Sequence, residues 1–522
     1  MSADKFLRGA MILTLAGLMV KVIGSVNRIL LSRLLGGEGI GLYQMAYPVY
    51  LLLVAISSAG IPIAISIIVS EKLAQKDYAN VNRVFKVSLG LMAITGLFFA
   101  SSLFVAAGWL VESGVITDSR AYYGLIALTP AVFLSTILAC FRGFFQGQQM
   151  MTPPAVSQIL EQFVRVMTML VLAYILLPKG LEYAAAGAAF GAAPGALMGL
   201  VVLSIFYIKY KHRWQLSGDQ LVELAREKES VGTIAKRLLL LALPVSCANI
   251  VVPITSSIDM LLVPNRLIDS GYAVDVATTL YGYLAGMAQP LILLATIPTT
   301  SLAVSLVPAV SEAFTLGDKE GIAKKATTAM KLCCLITVPA AVGMSVLAEQ
   351  LSLMLYGTSK AAVAIMHSGP ALWLLGMQQI TTGVLQGMGK INIPMINMAC
   401  GLVAKVVAVW LLTNATYNIA GAAWASNINF GLAALLNIYV LYRFEIKFTW
   451  HQIAKIILAA VLMGVSAHYG YAMLVQLLRS STLATIGAII VAAVVYAVLL
   501  PCFGAITKEE LKHLPIIKKF IS

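Results

Sequence analysis

Fourteen apolar windows, each about 20 residues long, recur along the chain, and nothing else limits the possible folds so strongly. They fall near residues 10–34, 43–70, 84–110, 121–143, 154–177 and 183–208, then 238–263, 279–310, 328–352, 366–386, 393–412 and 418–442, and finally 452–475 and 482–503. About 20 apolar residues in a helix cross the hydrocarbon core of a bilayer. Inside that core each backbone polar group must be satisfied within its own segment, which leaves helices as the spanning element here. The composition agrees: 60% of residues are hydrophobic and 11% are charged, against about 25% charged in soluble proteins. The expected fold class is an all-α polytopic membrane protein. No cleavable signal is expected, because Met1–Ala10 runs directly into the first long apolar stretch.

The net charge of +14 looks like a nucleic-acid signal until the basic residues are placed. With the N-terminus inside, 26 of the 36 basic residues fall in cytoplasmic segments, 5 in outer loops and 5 within helices. This asymmetry satisfies the positive-inside rule and puts both termini in the cytoplasm; no nucleic-acid partner is expected. The tail from Lys508 to Lys519 is basic and amphipathic. It suits anionic membrane lipids, and a plain solvated tail fits equally well. The six cysteines lie in or beside apolar spans, without metal-ligand spacing, and read as packing residues.

Short strings repeat at a nearly constant offset. Gln146-Gly147 with Pro154 matches Gln386-Gly387 with Pro394, and Arg165 falls in register with Lys405. Ser70-Glu71 matches Ser311-Glu312, and Ala186–Ala189 matches Ala420–Ala423. Six helices separate equivalent positions, so the halves run in the same direction and form a parallel repeat, with cargo expected between them. The implied organisation is an N-lobe at 1–208, a cytoplasmic linker at 209–237, a C-lobe at 238–442, two further helices at 443–503 and a basic tail at 504–522.

No nucleophile elbow, phosphate-cradling loop or metal cluster is present, so neither an enzyme nor a cofactor is expected. Chemistry is left to intramembrane charge. Lys21, Arg28 and Arg33 lie within or beside the first span, and each cation near a bilayer centre costs about 2.5–3.5 kcal/mol unless it meets water, a counter-ion or a cargo. Lys21 and Arg28, two turns apart, share a face. Arg33 is rotated away, where snorkelling at the helix end competes with binding. Glu161 and Arg165 are four apart and suit a structural pair, whereas Lys405 has Gly401 where a partnering acid would sit. Asp259, the one acid in its span, has three open readings: pairing with a first-helix cation, taking a proton, or ligating sodium.

The strings VNRILLSRLLGGEGIGLYQMAYP, FRGFFQGQQMMTPPAVSQILEQFVRV, LEYAAAGAAFG and LPIIKKF resemble the polysaccharide-transporter branch of the multidrug/oligosaccharidyl-lipid/polysaccharide exporter superfamily. Within that branch they are most similar to the group of stage V sporulation protein B and MurJ-type lipid II flippases. The resemblance spans nearly the whole chain. It implies two six-helix lobes, two additional helices forming a groove for a lipid tail, and residence in a bacterial cell membrane. The implied cargo is an undecaprenyl-diphosphate-linked peptidoglycan precursor, moved outward by alternating access for spore cortex or cell-wall synthesis. By position, the role of cavity cations carries to Lys21 and Arg28. The sodium-binding pattern of some relatives does not carry over intact, because the eleventh span offers Asn397 and Lys405 and no acid.

The combined expectation is a flippase in which Lys21, Arg28, Arg33, Arg165 and Lys405 bind the substrate while Asp259 and Glu161 serve charge pairing or coupling. Its partners are a lipid-linked glycan diphosphate, anionic lipids and cell-wall synthesis proteins. The alternatives are an exporter of another lipid-linked oligosaccharide, such as a teichoic or capsular one, and a non-transporting scaffold for wall synthesis.

Overall fold

The computed structural model describes residues 3–58, 60–217, 229–446 and 450–505, with side chains described except within 3–10, 211–217, 243–249 and 251–252. The tail from residue 506 onward and residues 218–228 of the 209–237 linker lie outside these residues. Among the described residues every regular element is helical, as the apolar windows require.

Two compact units emerge from the contacts. The first comprises residues 1–265 and 273–282, the second residues 266–272 and 283–522. The first contains α1 (Ala3–Ser58), α2 (Ile61–Ala74), α3 (Tyr78–Glu112), α4 (Tyr122–Gly147), α5 (Thr152–Leu176), α6 (Leu181–Phe190), α7 (Ala192–Ser217), most of α8 (Val231–Asp269) and α9 (Val274–Tyr281). The second contains α10 (Gln289–Ala295), α11 (Ile297–Thr315), α12 (Lys319–Val346), α13 (Ala348–Tyr356), α14 (Ala362–Ser368), α15 (Pro370–Gly387), α16 (Asn392–Leu412), α17 (Asn418–Arg443), α18 (Trp450–Leu478) and α19 (Ser481–Cys502).

Among the described residues, eleven helical stretches are long and apolar enough to cross a membrane. The first of them, Met11–Ala74, has 64 residues, twice what one crossing with its flanks needs. It breaks at Gly36, whose φ of 68° lies in the left-handed region that glycine adopts without a Cβ clash. Dividing that stretch and adding α8 and α15 gives the fourteen expected spans. α15 is the more polar exception, because Gln378, Gln379 and Gln386 interrupt its apolar run.

The repeat has a structural counterpart. In the first unit, a Cβ on Gly143 would collide with the Pro62 carbonyl, and one on Gly147 would lie 2.7 Å from the Ser66 oxygen. In the second, a Cβ on Gly383 or Gly387 would lie 2.8 Å from the carbonyl oxygen of Ala303 or Val307, respectively. α4 on α2 and α15 on α11 are therefore the same joint, two glycines one turn apart seated on two carbonyls one turn apart.

Each unit has its own apolar core. In the first, Ile65, Val84, Phe85, Cys140, Phe144 and Leu203 cluster together, and Ile234, Leu238 and Ala242 of α8 join them. Further along α8, the Ser257 hydroxyl donates to the Pro48 carbonyl at 3.4 Å. These contacts group the seventh span with the first unit, whereas the sequence repeat groups it with the second half. The core of the second unit includes Cys333, Cys334, Met377 and Val384, together with Ile456 and Ala460 of α18 and Ala488 and Ala492 of α19. The Tyr496 hydroxyl of α19 donates to the Leu335 carbonyl at 3.1 Å.

Candidate functional site

α5 meets α6 and α7 along a ridge of four glycines, Gly187, Gly191, Gly195 and Gly199, spaced four residues apart. A Cβ on Gly195 would lie 2.8 Å from the Arg165 Cβ and 2.9 Å from the Glu161 carbonyl oxygen. The ridge therefore lets the backbones approach until Glu161 and Arg165 are both enclosed. Their side chains keep only 13% and 15% of their exposure.

Arg165 donates to Glu161 Oε1 at 2.6 Å. The other carboxylate oxygen, Oε2, accepts from Arg142 of α4. One carboxylate thus holds two guanidinium groups, which leaves the trio positive. Removed from bulk water, such a cluster interacts with charge more strongly than it would at a surface.

A tyrosine ladder adjoins it. Tyr43, Tyr47 and Tyr50 follow one another along the second part of α1; the ring centroids of Tyr43 and Tyr47 are 5.1 Å apart and nearly parallel, and those of Tyr47 and Tyr50 are 5.5 Å apart. Tyr50 shares a hydrogen bond with Ser135 at 2.9 Å. Arg28, from the first part of α1, places its guanidinium 5.7 Å from the Tyr47 ring centroid, within cation–π range. Tyr43 is in electrostatic reach of both Arg28 and Arg165, so the ladder connects the two cationic positions. Buried Asp259 and Arg28 are both in electrostatic reach of Tyr281.

The remaining candidates are distributed differently. Lys21 is exposed on α1, and Arg33 is also exposed. Lys405 is 1% exposed on α16 of the second unit, with Gly401 one turn before it packed on the Asn429 carbonyl. It is not without a partner, although no acid stands at position 401. Asp259 is likewise partnered. The described structure therefore brings together Arg28, Glu161 and Arg165, with Asp259 on their margin, and keeps Lys405 in the other unit. Among the described residues, no three carboxylates, imidazoles or thiols converge as metal ligands.

A family model described as polysaccharide biosynthesis protein matches residues 6–314, more than half of the chain. The chain belongs to that family. A second model, MatE, matches residues 284–411. This member of the polysaccharide biosynthesis protein family is 32% identical to stage V sporulation protein B of Bacillus subtilis (strain 168), over 100% of both chains. It is 27% identical to the lipid II flippase MurJ of the same organism, over 78% of this chain and 77% of that one. Among solved structures, the lipid II flippase MurJ in an inward closed conformation superposes with a TM-score of 0.65 at 15% identity, covering 94% of this chain and 98% of that one. That likeness establishes the fold, an all-α polytopic membrane fold shared with transporters. The protein is a multi-pass membrane protein, and the relatives it matches are flippases and transporters, not enzymes.

Two groups of this candidate site escape a reading by charge alone. Arg142 sits in the string FRGFFQG, close to a helix end, and counts there as a cytoplasmic loop cation. In the structure it reaches back to Glu161. The tyrosines carry no charge to flag them; their signal is the spacing 43, 47 and 50, which puts all three on one helical face.

Proposed function

We propose that this protein is a flippase that moves an undecaprenyl-diphosphate-linked glycan, similar to lipid II, from the inner to the outer leaflet. The observation that carries this reading is the enclosed pair of Arg142 and Arg165 on the Glu161 carboxylate, adjoined by a tyrosine ladder that carries Arg28. A diphosphate cannot cross hydrocarbon as an unpaired charge. Guanidinium groups bind phosphate oxygens with paired, charge-assisted hydrogen bonds. In this reading Glu161 keeps Arg142 and Arg165 in place while the site is empty, and the diphosphate takes over part of their hydrogen bonding when it arrives. Arg28, cushioned on Tyr47, is the most available of the three cations. Lys21, exposed two turns before it, receives the headgroup on entry; Arg33 extends the same cationic helix, and Lys405 is the cation of the second half. Asp259 balances Arg28 between transport steps.

The apolar outer faces of α18 and α19, with Val461, Val465, Met473, Ile486 and Ile490 exposed, suit a polyprenyl tail. The inward bias of the basic residues supports cytoplasmic termini, and the bacterial relatives support a bacterial cell membrane. The membrane potential assists the outward step, contributing about 2.3 kcal/mol per charge per 100 mV to an anion leaving a negative interior. The relatives' names support a role in spore cortex or cell-wall synthesis.

Fluorescent lipid II flipping in proteoliposomes tests the reading. Wild type should move the lipid faster with an imposed potential, whereas Arg28→Ala and Lys21→Ala should insert normally and lose the activity. Full activity in Arg28→Ala would overturn the assignment of the cation cluster.

A further inference from the structure

The second unit contains a cavity of about 400 Å³ between α11 and α15, a size typical of small-molecule sites. No charged side chain lines it; its polar walls come from Thr300, Gln378, Gln379, Thr382 and Gln386. These amides interrupt otherwise apolar helices and would be costly against hydrocarbon, so this face borders water.

The amides are held by neighbouring hydroxyls. The Gln379 side chain lies 2.8 Å from the Thr299 hydroxyl and 3.4 Å from that of Thr300, both of which also reach the Thr296 carbonyl, so the amide keeps hydrogen-bonding capacity for a ligand. The Gln378 amide nitrogen donates to Thr382 Oγ1 at 3.2 Å, leaving the Gln378 carbonyl as an acceptor. Thr382 also accepts from Asn437 at 3.2 Å, so its own hydroxyl hydrogen is available. The cavity thus presents neutral donors and acceptors beside an apolar wall of Val304, Val307 and Pro308.

We propose that this cavity binds the glycan portion of the cargo, through hydroxyl and acetamido groups; this rests on the lipid-linked glycan reading above. A phosphate would need cations and an ammonium ion would need carboxylates, whereas a purely apolar ligand would leave the amides unmatched. A sugar ring supplies hydroxyl groups at its edge and C–H groups on its face. The repeat sharpens the assignment: at the offset of 240, Thr382 corresponds to Arg142 and Gly401 to Glu161. The half that lacks the charged trio thus carries the neutral site.

The test uses the full chain in nanodiscs with two probes, a soluble disaccharide bearing acetamido groups and undecaprenyl diphosphate without sugar. Saturation-transfer NMR should show the disaccharide bound to wild type. Gln378→Leu/Gln379→Leu and the milder Gln379→Glu should weaken it about tenfold, in keeping with the loss of two or three neutral hydrogen bonds. Undecaprenyl diphosphate should bind these variants as it binds wild type. If the disaccharide fails to bind wild type, or binds the variants equally well, the inference is overturned. Equal weakening of both probes also overturns it, since that would mark the amides as structural. Failure of undecaprenyl diphosphate to bind wild type, with the disaccharide behaving as expected, would instead remove the diphosphate reading and leave the saccharide site standing.

Discussion

Glu161 Oε1 lies 2.6 Å from Nη2 of Arg165, one turn along the same helix, and its other oxygen is occupied by Arg142. Both members of the α5 pair are largely enclosed, so removing the carboxylate leaves two guanidinium groups facing each other with reduced access to water. Breaking a buried pair from one side costs about 3–5 kcal/mol. Glu161→Gln should therefore lower the thermal unfolding midpoint substantially. Combining it with Arg165→Met should restore part of the loss, because the surviving Arg142 then has no like charge beside it. Additive losses in the double variant, measured in the same detergent, would rule out the shared-carboxylate account.

The glycine ridge makes a second, contrasting pair of variants informative. Gly195→Ala places a Cβ 2.8 Å from that of Arg165, and overpacking of this kind costs about 1–3 kcal/mol. At Gly90 on α3 nothing lies within 4 Å of an added Cβ, and alanine there gains about 0.5–1 kcal/mol of helix propensity. Melting curves should move in opposite directions. A neutral Gly195→Ala would show that α5 and α7 separate easily, and so that the ridge does not fix Arg165.

The fold was largely legible in the sequence because apolar windows report directly on the bilayer, and the offset of 240 marked a repeat, though the α2–α4 and α11–α15 joints that embody it were not read from the sequence. The site was only partly legible. Arg28, Glu161 and Arg165 stand out because a charge inside an apolar run is anomalous, whereas Arg142 near a helix end is not. Tyr43, Tyr47 and Tyr50 are compatible with ordinary core packing, and only their stacking beside Arg28 gives them a role. Lys405 shows the opposite failure: the missing acid at position 401 suggested an unpaired lysine, yet the residue is buried and not without a partner, which spacing within one helix does not reveal.

Tyr47 should act through its ring. Tyr47→Phe keeps the face on which Arg28 rests, whereas Tyr47→Leu removes an interaction of about 0.5–2 kcal/mol. The flipping rate should fall about 2- to 30-fold in the leucine variant and little in the phenylalanine variant, with unfolding midpoints near wild type. Equal losses in both would transfer the role from the ring to the hydroxyl.

A final prediction concerns acid. Asp118, in the loop between α3 and α4, accepts from Arg120 at 2.8 Å and 3.0 Å and from the Thr278 hydroxyl of α9 at 2.8 Å; Arg120 also reaches Glu38 at 2.7 Å. Burial pushes the Asp118 carboxyl up, but hydrogen bonds from Arg120 and Thr278 outweigh it and hold the group below its ordinary value. A depressed carboxyl stabilises the folded state fully above its unfolded value of about 4 and loses that contribution as the pH falls through the folded value. The α9 attachment should therefore hold at neutral pH and loosen below about pH 4, while Arg120 stays charged throughout. Hydrogen exchange of α9, corrected for intrinsic rates, should rise in that acid range in wild type. In Asp118→Asn it should already be fast at neutral pH and change little on acidification. Wild-type protection that shows no decline on acidification below about pH 4, or unchanged protection in Asp118→Asn at neutral pH, would show that α9 is held by its packing on α1 and not by this carboxylate.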